Sequence, residues 1–224
     1  MYIYISVING AHTMRERETM NILIVCEESQ SVLENMRKQG HNAYSCDLYS
    51  SSHDDVSLHR YHLKGDLFYH FDNPPKSVSK WGMVIAFPPC TYLTVSGNRW
   101  MHDKTRFPNR QKDRLDALNF VKRIWSLDCP RIAIENPVGV LSTQWMRPTQ
   151  YVQPYEYGHT ISKKTCLWLK GLNPLEPTDI QECDKEKSKA WYTSALNEKT
   201  SEARRKARSK TFQGIAEAMA SQWS

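Results

Sequence analysis

Five short stretches of this chain carry side chains with chemical reach: Cys26-Glu27-Glu28-Ser29, Asp47-Leu48, Asp66-Leu67, Pro88-Pro89-Cys90 and Glu135-Asn136-Pro137. Each ends a run of residues that favour a strand: NILIV, NAYSC, the short LKG, WGMVIAF and RIAI. A thiol behind two prolines stands at a rigid corner, because each proline fixes its own φ angle. Such a thiol is either a reactive group or a small buried hydrophobe that closes a turn. The carboxylate of Glu135 is either a ligand contact or a cap on the helix that begins near Val138. Asp47 follows a second strand, the position at which nucleotide-binding sheets hold ribose hydroxyls.

The elements that must gather these groups can be read from periodicity. NILIVC is a strand, residues 29–39 a helix stopped by Gly40, and NAYSCDL a second strand, which together make a βαβ opening. WGMVIAF is the clearest buried strand. The segment after Pro108 places Leu115, Leu118, Val121, Ile124 and Trp125 at helical spacing, and RIAIEN follows it directly. Strands alternating with helices predict an α/β fold, with a mainly parallel sheet covered by helices on both faces. QYVQPYEYG and KKTCLWLKG predict an antiparallel hairpin at its edge. Residues 172–200 show no clear period, and TFQGIAEAMASQW reads as a closing helix. Residues 1–19 read as a weakly ordered extension in which YIYISV is able to add an edge strand; a single domain over 20–224 follows. The carboxyl ends of parallel strands share one crevice, so the five stretches converge on a common ligand.

Composition narrows the classes. With 224 residues, 40% hydrophobic and 24% charged, the chain can build one sizeable core. No stretch approaches the roughly 20 apolar residues that span a bilayer, and MYIYISV lacks the basic lead and cleavage pattern of a secretory signal. A cytoplasmic protein without a membrane partner is therefore expected. Cys26, Cys46, Cys90, Cys129, Cys166 and Cys183 form no CxxC pair and no zinc-ligand spacing, so neither a metal site nor a disulfide framework is expected. His53, His59, His62 and His70 lie in a polar segment without thiol partners and read as loop residues. Net charge is +6, and EARRKARSK (Glu202 to Lys210) concentrates five basic side chains. That segment suits a polyanion, and equally a solvated helix face.

FPPCTYL followed by IENPVGVL resembles the C5-cytosine DNA methyltransferases that use S-adenosylmethionine, whose two catalytic strand ends read as a Pro-Pro-Cys loop and a Glu-Asn-Val loop. The wider run CEES, SCDL, KGDL, FPPCTYL, IENP, QPYEYGH and KKTCLWLKGL is similar to small phage-type methyltransferase-like proteins, over most of the chain from Met20 onward. The resemblance implies a Rossmann-like methyltransferase fold and S-adenosylmethionine as cofactor. Cys90 would then be the nucleophile that adds to carbon 6 of cytosine, its thiolate favoured by a helix N-terminus or by a cation such as Arg99. Glu135 would carry a proton for ring nitrogen 3, as a buried carboxylate can. Cys26, Glu27, Glu28, Ser29, Asp47, Leu48, Asp66, Leu67 and Pro88 would line the cofactor site. Pro89, Arg99, Asn136, Pro137, His159, Lys163 and Lys164 would face the nucleotide. The family's first loop is glycine-rich, whereas CEESQS holds no glycine, so either side chains such as Glu28 and Ser29 do the holding or cofactor binding is altered or absent.

The substrate stays open between DNA of low sequence requirement, with the basic C-terminal segment on its backbone, and a free cytosine nucleotide. The segment between Gly171 and Thr211 is too short for a large target-recognition domain. Two other readings fit the same residues: a non-catalytic nucleotide or nucleic-acid binding protein on this fold, and an enzyme delivering a different electrophile to the pyrimidine.

Overall fold

The computed structural model describes residues 3–8, 11–16 and 18–224, with backbone alone for 3–8, 11–16, 96, 99, 100 and 201. Strands β1 (Ile3–Ile8) and β2 (Ala11–Glu16) pair antiparallel in a two-stranded sheet of their own. The expectation of weak order for residues 1, 2, 9, 10 and 17 lies outside the described residues.

The remaining strands form one sheet of seven. They are β3 (Asn21–Val25), β4 (Asn42–Asp47), β5 (His62–Lys64), β6 (Met83–Ala86), β7 (Ile132–Pro137), β8 (Gln150–Val152) and β9 (Thr165–Lys170). Their order is β5-β4-β3-β6-β7-β9-β8. The first five are parallel, and β9 runs antiparallel between β7 and β8. The order reverses between β3 and β6, which is the switch point at which doubly wound sheets open their ligand crevice. This is the Rossmann-like α/β sheet expected, with its antiparallel pair at the edge.

Strand residues alternate between two hydrophobic layers. Leu23, Val25, Val84, Ala86, Ile132, Ile134 and Trp168 pack with helices α2 (Leu67–Asp72) and α3 (Arg110–Trp125). Ile22, Ile24, Met83, Ile85, Ala133 and Leu167 pack with α1 (Ser31–Lys38) and α7 (Gln213–Gln222). Helices therefore cover both faces, because parallel strands bury both. Short α4 (Leu141–Gln144) follows β7.

Two local expectations need correction. Leu115 is 55% exposed, and Arg110 and Arg114 share the buried face of α3 with Leu118, Val121 and Ile124. Hydrophobic periodicity assumes that only apolar side chains are buried, and here two arginines are inside for a reason given below. Residues 172–200, without visible period, contain helix α5 (Lys185–Leu196), in which Ala195 is the sole buried residue among those described. No apolar stripe marks it; its signal is Asp184, whose side chain accepts from Lys187 N at the helix start. Helix α6 (Ser201–Ser209) follows with the basic cluster, capped by Thr200.

The closing helix docks at Gly214, where an added Cβ would lie 1.8 Å from the carbonyl oxygen of Tyr157. Gly214→Ala must push α7 off the sheet, so a loss of about 1–3 kcal/mol is expected. Thermal denaturation checks it; an unchanged midpoint would show that the contact yields freely.

Candidate active site

Strands β6 and β7 are parallel neighbours, and the loops after them are tied to each other by backbone as well as side chain. Asn136 Nδ2 donates to the carbonyl of Pro88 at 2.8 Å, wholly buried. Val140 N donates to Leu93 O at 2.8 Å, and Thr94 pairs with Gly139 in an isolated bridge. Gly139 is what permits this approach, since a Cβ there would fall 1.9 Å from Leu93 O. The Pro-Pro-Cys turn and the Glu-Asn-Pro strand end are thus one rigid unit. Asn136 is a brace within it, 1% exposed, and its Oδ1 is buried without a hydrogen-bond partner.

Cys90 opens the turn, its carbonyl accepting from Leu93 N and Thr94 N at 2.9 and 3.1 Å. The thiol is free and partly exposed. Burial pushes it above its ordinary value and the Glu135 carboxylate adds to this, while Arg208 and Lys163 pull it down. The cations that act on Cys90 are therefore Lys163 and Arg208; the side chain of Arg99, expected to do so, lies outside the described residues. Glu135 itself is pushed up by burial, against the opposing pull of Lys163 and the Thr165 hydroxyl. The two ionisations oppose each other, so a Glu135 carboxyl that holds its proton removes the negative charge that opposes a Cys90 thiolate.

Two residues that sequence reading missed hold the turn from behind. Arg110 Nη2 donates to Thr91 O at 3.1 Å, Arg114 Nε to Tyr92 O at 2.9 Å, and Arg114 Nη2 to Asn98 Oδ1 at 2.7 Å. Their guanidinium forks satisfy carbonyls of a loop that has no ladder partner. The signal available was the pair of arginines spaced i, i+4 on the helix face where the apolar stripe should have continued.

On the other side of the switch point the loop after β3 turns without glycine. Cys26 and Gln30 take positive φ angles of 60° and 54°, the left-handed region in which glycine is the usual occupant. Glu27 is buried, and its carboxylate accepts from Val32 N at 2.6 Å and Leu33 N at 3.3 Å. It therefore caps α1 rather than reaching a ligand, which corrects its assignment to the cofactor site. The anion position at this helix end, which dinucleotide-binding folds give to a pyrophosphate, is filled from within. Burial drives Glu27 up to about 8. Ser29 Oγ meets Ser31 Oγ at 3.3 Å, and Cys26 is a thiol raised by burial.

Glu28 is 8% exposed and forms an ion pair with Arg205 Nη2 at 2.6 Å. Asp47, at the end of β4, is lifted by burial; the Tyr49 amide opposes this, and Glu28 adds to it. Leu48 and Tyr49 beside it are 69% and 48% exposed, an apolar shelf next to two carboxylates. Asp66 accepts from Phe68 N and Tyr69 N as the cap of α2, so its carboxylate has a structural duty there. Leu67 is 5% exposed in the core and Pro88 is buried, so neither side chain offers a ligand surface.

The remaining nucleotide-facing candidates separate. Pro89 is exposed beside Cys90, and Pro137 is partly buried at the end of β7. Lys163 Nζ donates to Arg208 O at 3.0 Å and lies 5.6 and 5.8 Å from the rings of Trp191 and Phe212. Lys164 points to the sheet edge, 4.1 Å from the Tyr151 ring centroid. His159 Nε2 accepts from Gly214 N at 3.3 Å and its ring meets Phe212 at 5.1 Å, so it fixes the start of α7. Alternating side chains on an extended segment face opposite ways, which explains why the two lysines part.

Against Glu135 opens a cavity of about 20 Å³, lined among others by Lys163, Thr165, Ser209, Thr211 and Phe212 and not by Cys90. That volume holds one water. A pyrimidine ring does not fit in a space of that size. Among the described residues no cluster of His, Cys, Asp or Glu is arranged to hold a metal, and no helix is long and apolar enough to cross a membrane.

No protein-family model matches the chain, and no curated protein matches it. Among solved structures it is similar to the crystal structure of the Dnmt2 methyltransferase of S. pombe, at 14% identity and a TM-score of 0.43, over 70% of this chain and 51% of that one. The chain spans about half the length of that protein.

Glu27 makes the site measurable without a ligand. Its folded value of about 8 stands above its ordinary 4.5, so its contribution to stability is complete in acid and is lost as pH rises through 8. Glu27→Gln keeps an acceptor for α1 and removes the charge. Its melting temperature should gain on wild type progressively between pH 5 and pH 8 and run parallel above that. Parallel curves throughout would place a neutral or solvated group at this position.

Proposed function

We propose that this protein transfers a methyl group from S-adenosylmethionine to carbon 5 of cytosine, through a covalent adduct of Cys90. The observation that carries the reading is the single rigid unit made by the Cys90 turn and the Glu135 strand end, in which the Glu135 carboxylate acts electrostatically on the Cys90 thiol. Carbon 5 is a weak nucleophile. Addition of the Cys90 thiolate to carbon 6 turns the ring into an enamine, with Glu135 donating its proton to nitrogen 3 as charge gathers there. Carbon 5 would then take the methyl group as the sulfonium leaves as a neutral thioether; loss of the carbon 5 proton to water, expulsion of the Cys90 thiolate and return of the nitrogen 3 proton to Glu135 restore the ring. The Pro88-Pro89 corner limits where the sulfur can point, and the α3 arginines hold the rest of the turn.

The side chains at the ends of β3 and β4 suit S-adenosylmethionine. Glu28 and Asp47 offer carboxylates to an ammonium group and to ribose hydroxyls, and Leu48 offers an apolar shelf to a purine face. A pyrophosphate cofactor is disfavoured by the Glu27 cap. When bound, S-adenosylmethionine supplies an electrophilic methyl on a cationic sulfur. Glu28 and Asp47 would orient it, and partial burial beside β3 and β4 would keep water from it.

Cys90→Ser should abolish turnover while leaving the thermal midpoint and cofactor binding in place; retained activity would remove Cys90 as nucleophile. Glu135→Gln should slow the reaction by about 10²–10⁴-fold. The rate in wild type should climb with pH as the raised Cys90 thiol ionises. Lys163→Met should move that limb to higher pH, because it deletes a charge that lowers Cys90. Mass spectrometry of nucleosides from cells expressing the protein, compared with the Cys90 variant, reports base and modification together. An unmodified nucleoside pool with no thermal shift by cofactor would favour a binding protein on the same fold.

A further inference from the structure

Helix α6 lies over the crevice, yet its sequence SEARRKARS has almost nothing apolar with which to bury itself. It also meets α5 and the turn after it, with Arg204 Nη1 on the Glu198 carbonyl at 2.7 Å and Arg208 5.6 Å over the Tyr192 ring; toward the crevice wall, three contacts among the described residues hold it. Arg205 Nη2 pairs with Glu28 Oε2 at 2.6 Å. The same guanidinium sits 4.2 Å over the Tyr49 ring. Lys163 Nζ, next to Glu135, donates to the backbone carbonyl of Arg208 at 3.0 Å. Its attachment to the crevice wall is therefore a matter of charge, a ring contact and hydrogen bonds rather than of apolar packing. By contrast α7, which follows after Phe212, buries Ile215, Ala216, Ala218, Met219 and Ala220.

The place where α6 ends matters. Ser209, its last residue, lines the small cavity against Glu135 together with Thr211 and Phe212, so outward movement of that end would enlarge the space in front of the carboxyl. Glu28 is buried and needs a cation beside it. Arg205 is the one that it has, and Arg205 is also the most suitable residue of the cluster to grip a phosphate with two parallel hydrogen bonds. A phosphate gripped in this way competes with Glu28 for the same guanidinium.

We propose that α6 is the phosphate-backbone contact for a single-stranded nucleic acid, and that the Arg205–Glu28 pair stows it across the crevice until the polyanion takes the arginine. The proposal rests on the reading of the crevice as a cytosine site and selects nucleic acid over a free nucleotide as what enters it. Binding and opening are then one event: phosphates draw α6 outward and the same movement clears the approach to Glu135. The Glu28 carboxylate released in the exchange becomes available to the cationic end of a cofactor, so the two ligands should assist each other.

Binding of a short labelled oligodeoxycytidylate, followed by fluorescence anisotropy with no cofactor and no turnover, tests this apart from the chemistry. Glu28→Gln frees Arg205 and should tighten binding at least fivefold, whereas Arg205→Met should weaken it and reduce the salt slope by about one. Equal affinity in all three proteins overturns the proposal, even if the enzyme methylates cytosine nucleotides; the predicted pattern sustains it even if no methylation is found. Should Glu28→Gln fail to fold, amide exchange of the wild type decides. Rising salt should speed exchange over residues 201–209 and leave 213–222 unchanged, and exchange insensitive to salt in both helices would sink the idea.

Discussion

The hydrogen bond from Asn136 to the carbonyl of Pro88 is the contact on which the crevice depends. Proline takes away a backbone donor, and two in succession leave the chain after β6 with little to pair in a ladder. A buried amide from the next strand fills that gap. With Gly139 lying directly against Leu93, the two loops cannot slide past each other without meeting backbone. Cys90 and Glu135 inherit this rigidity, because both stand on one braced unit.

Charge is the second constraint. Glu27, Glu28, Asp47 and Glu135 all stand at the carboxyl ends of β3, β4 and β7, and each is accommodated differently. Glu27 is absorbed by the amides at the start of α1, Glu28 by Arg205, Asp47 by the Tyr49 amide, and Glu135 by Lys163 with the Thr165 hydroxyl. Burial raises Glu27, Asp47 and Glu135 nonetheless. A crevice with this many acids suits a ligand that brings positive charge to one part and ring nitrogens to another, and suits a pyrophosphate poorly. The basic helix α6 completes the balance from outside the sheet.

Much of the fold was legible because both of its signals are local. Parallel strands buried on two faces read as apolar runs, as in NILIV and MVIA, and the convergence of their ends follows from sheet topology alone. Helix α7 could be read from its own apolar stripe. Helix α5 could not, since a helix that buries one residue has no stripe to show. Arg110 and Arg114 were invisible for the opposite reason: they are inside because loop carbonyls need them, and no window of sequence displays a need that arises about twenty residues away.

The sequence by itself determined which residue types stand at the strand ends, and so the thiol, the acids and the order in which they meet a ligand. Only the tertiary structure decided which of those groups are free. Glu27 and Asp66 proved to be helix caps, Leu67 core, His159 a clasp on α7, and Lys163 rather than Lys164 the ammonium beside Glu135. The physical reason is that a polar side chain's role depends on which unpaired donors and acceptors surround it once the chain has closed. Hydrophobic order is written along the sequence, whereas polar satisfaction is settled between segments that meet only in the fold.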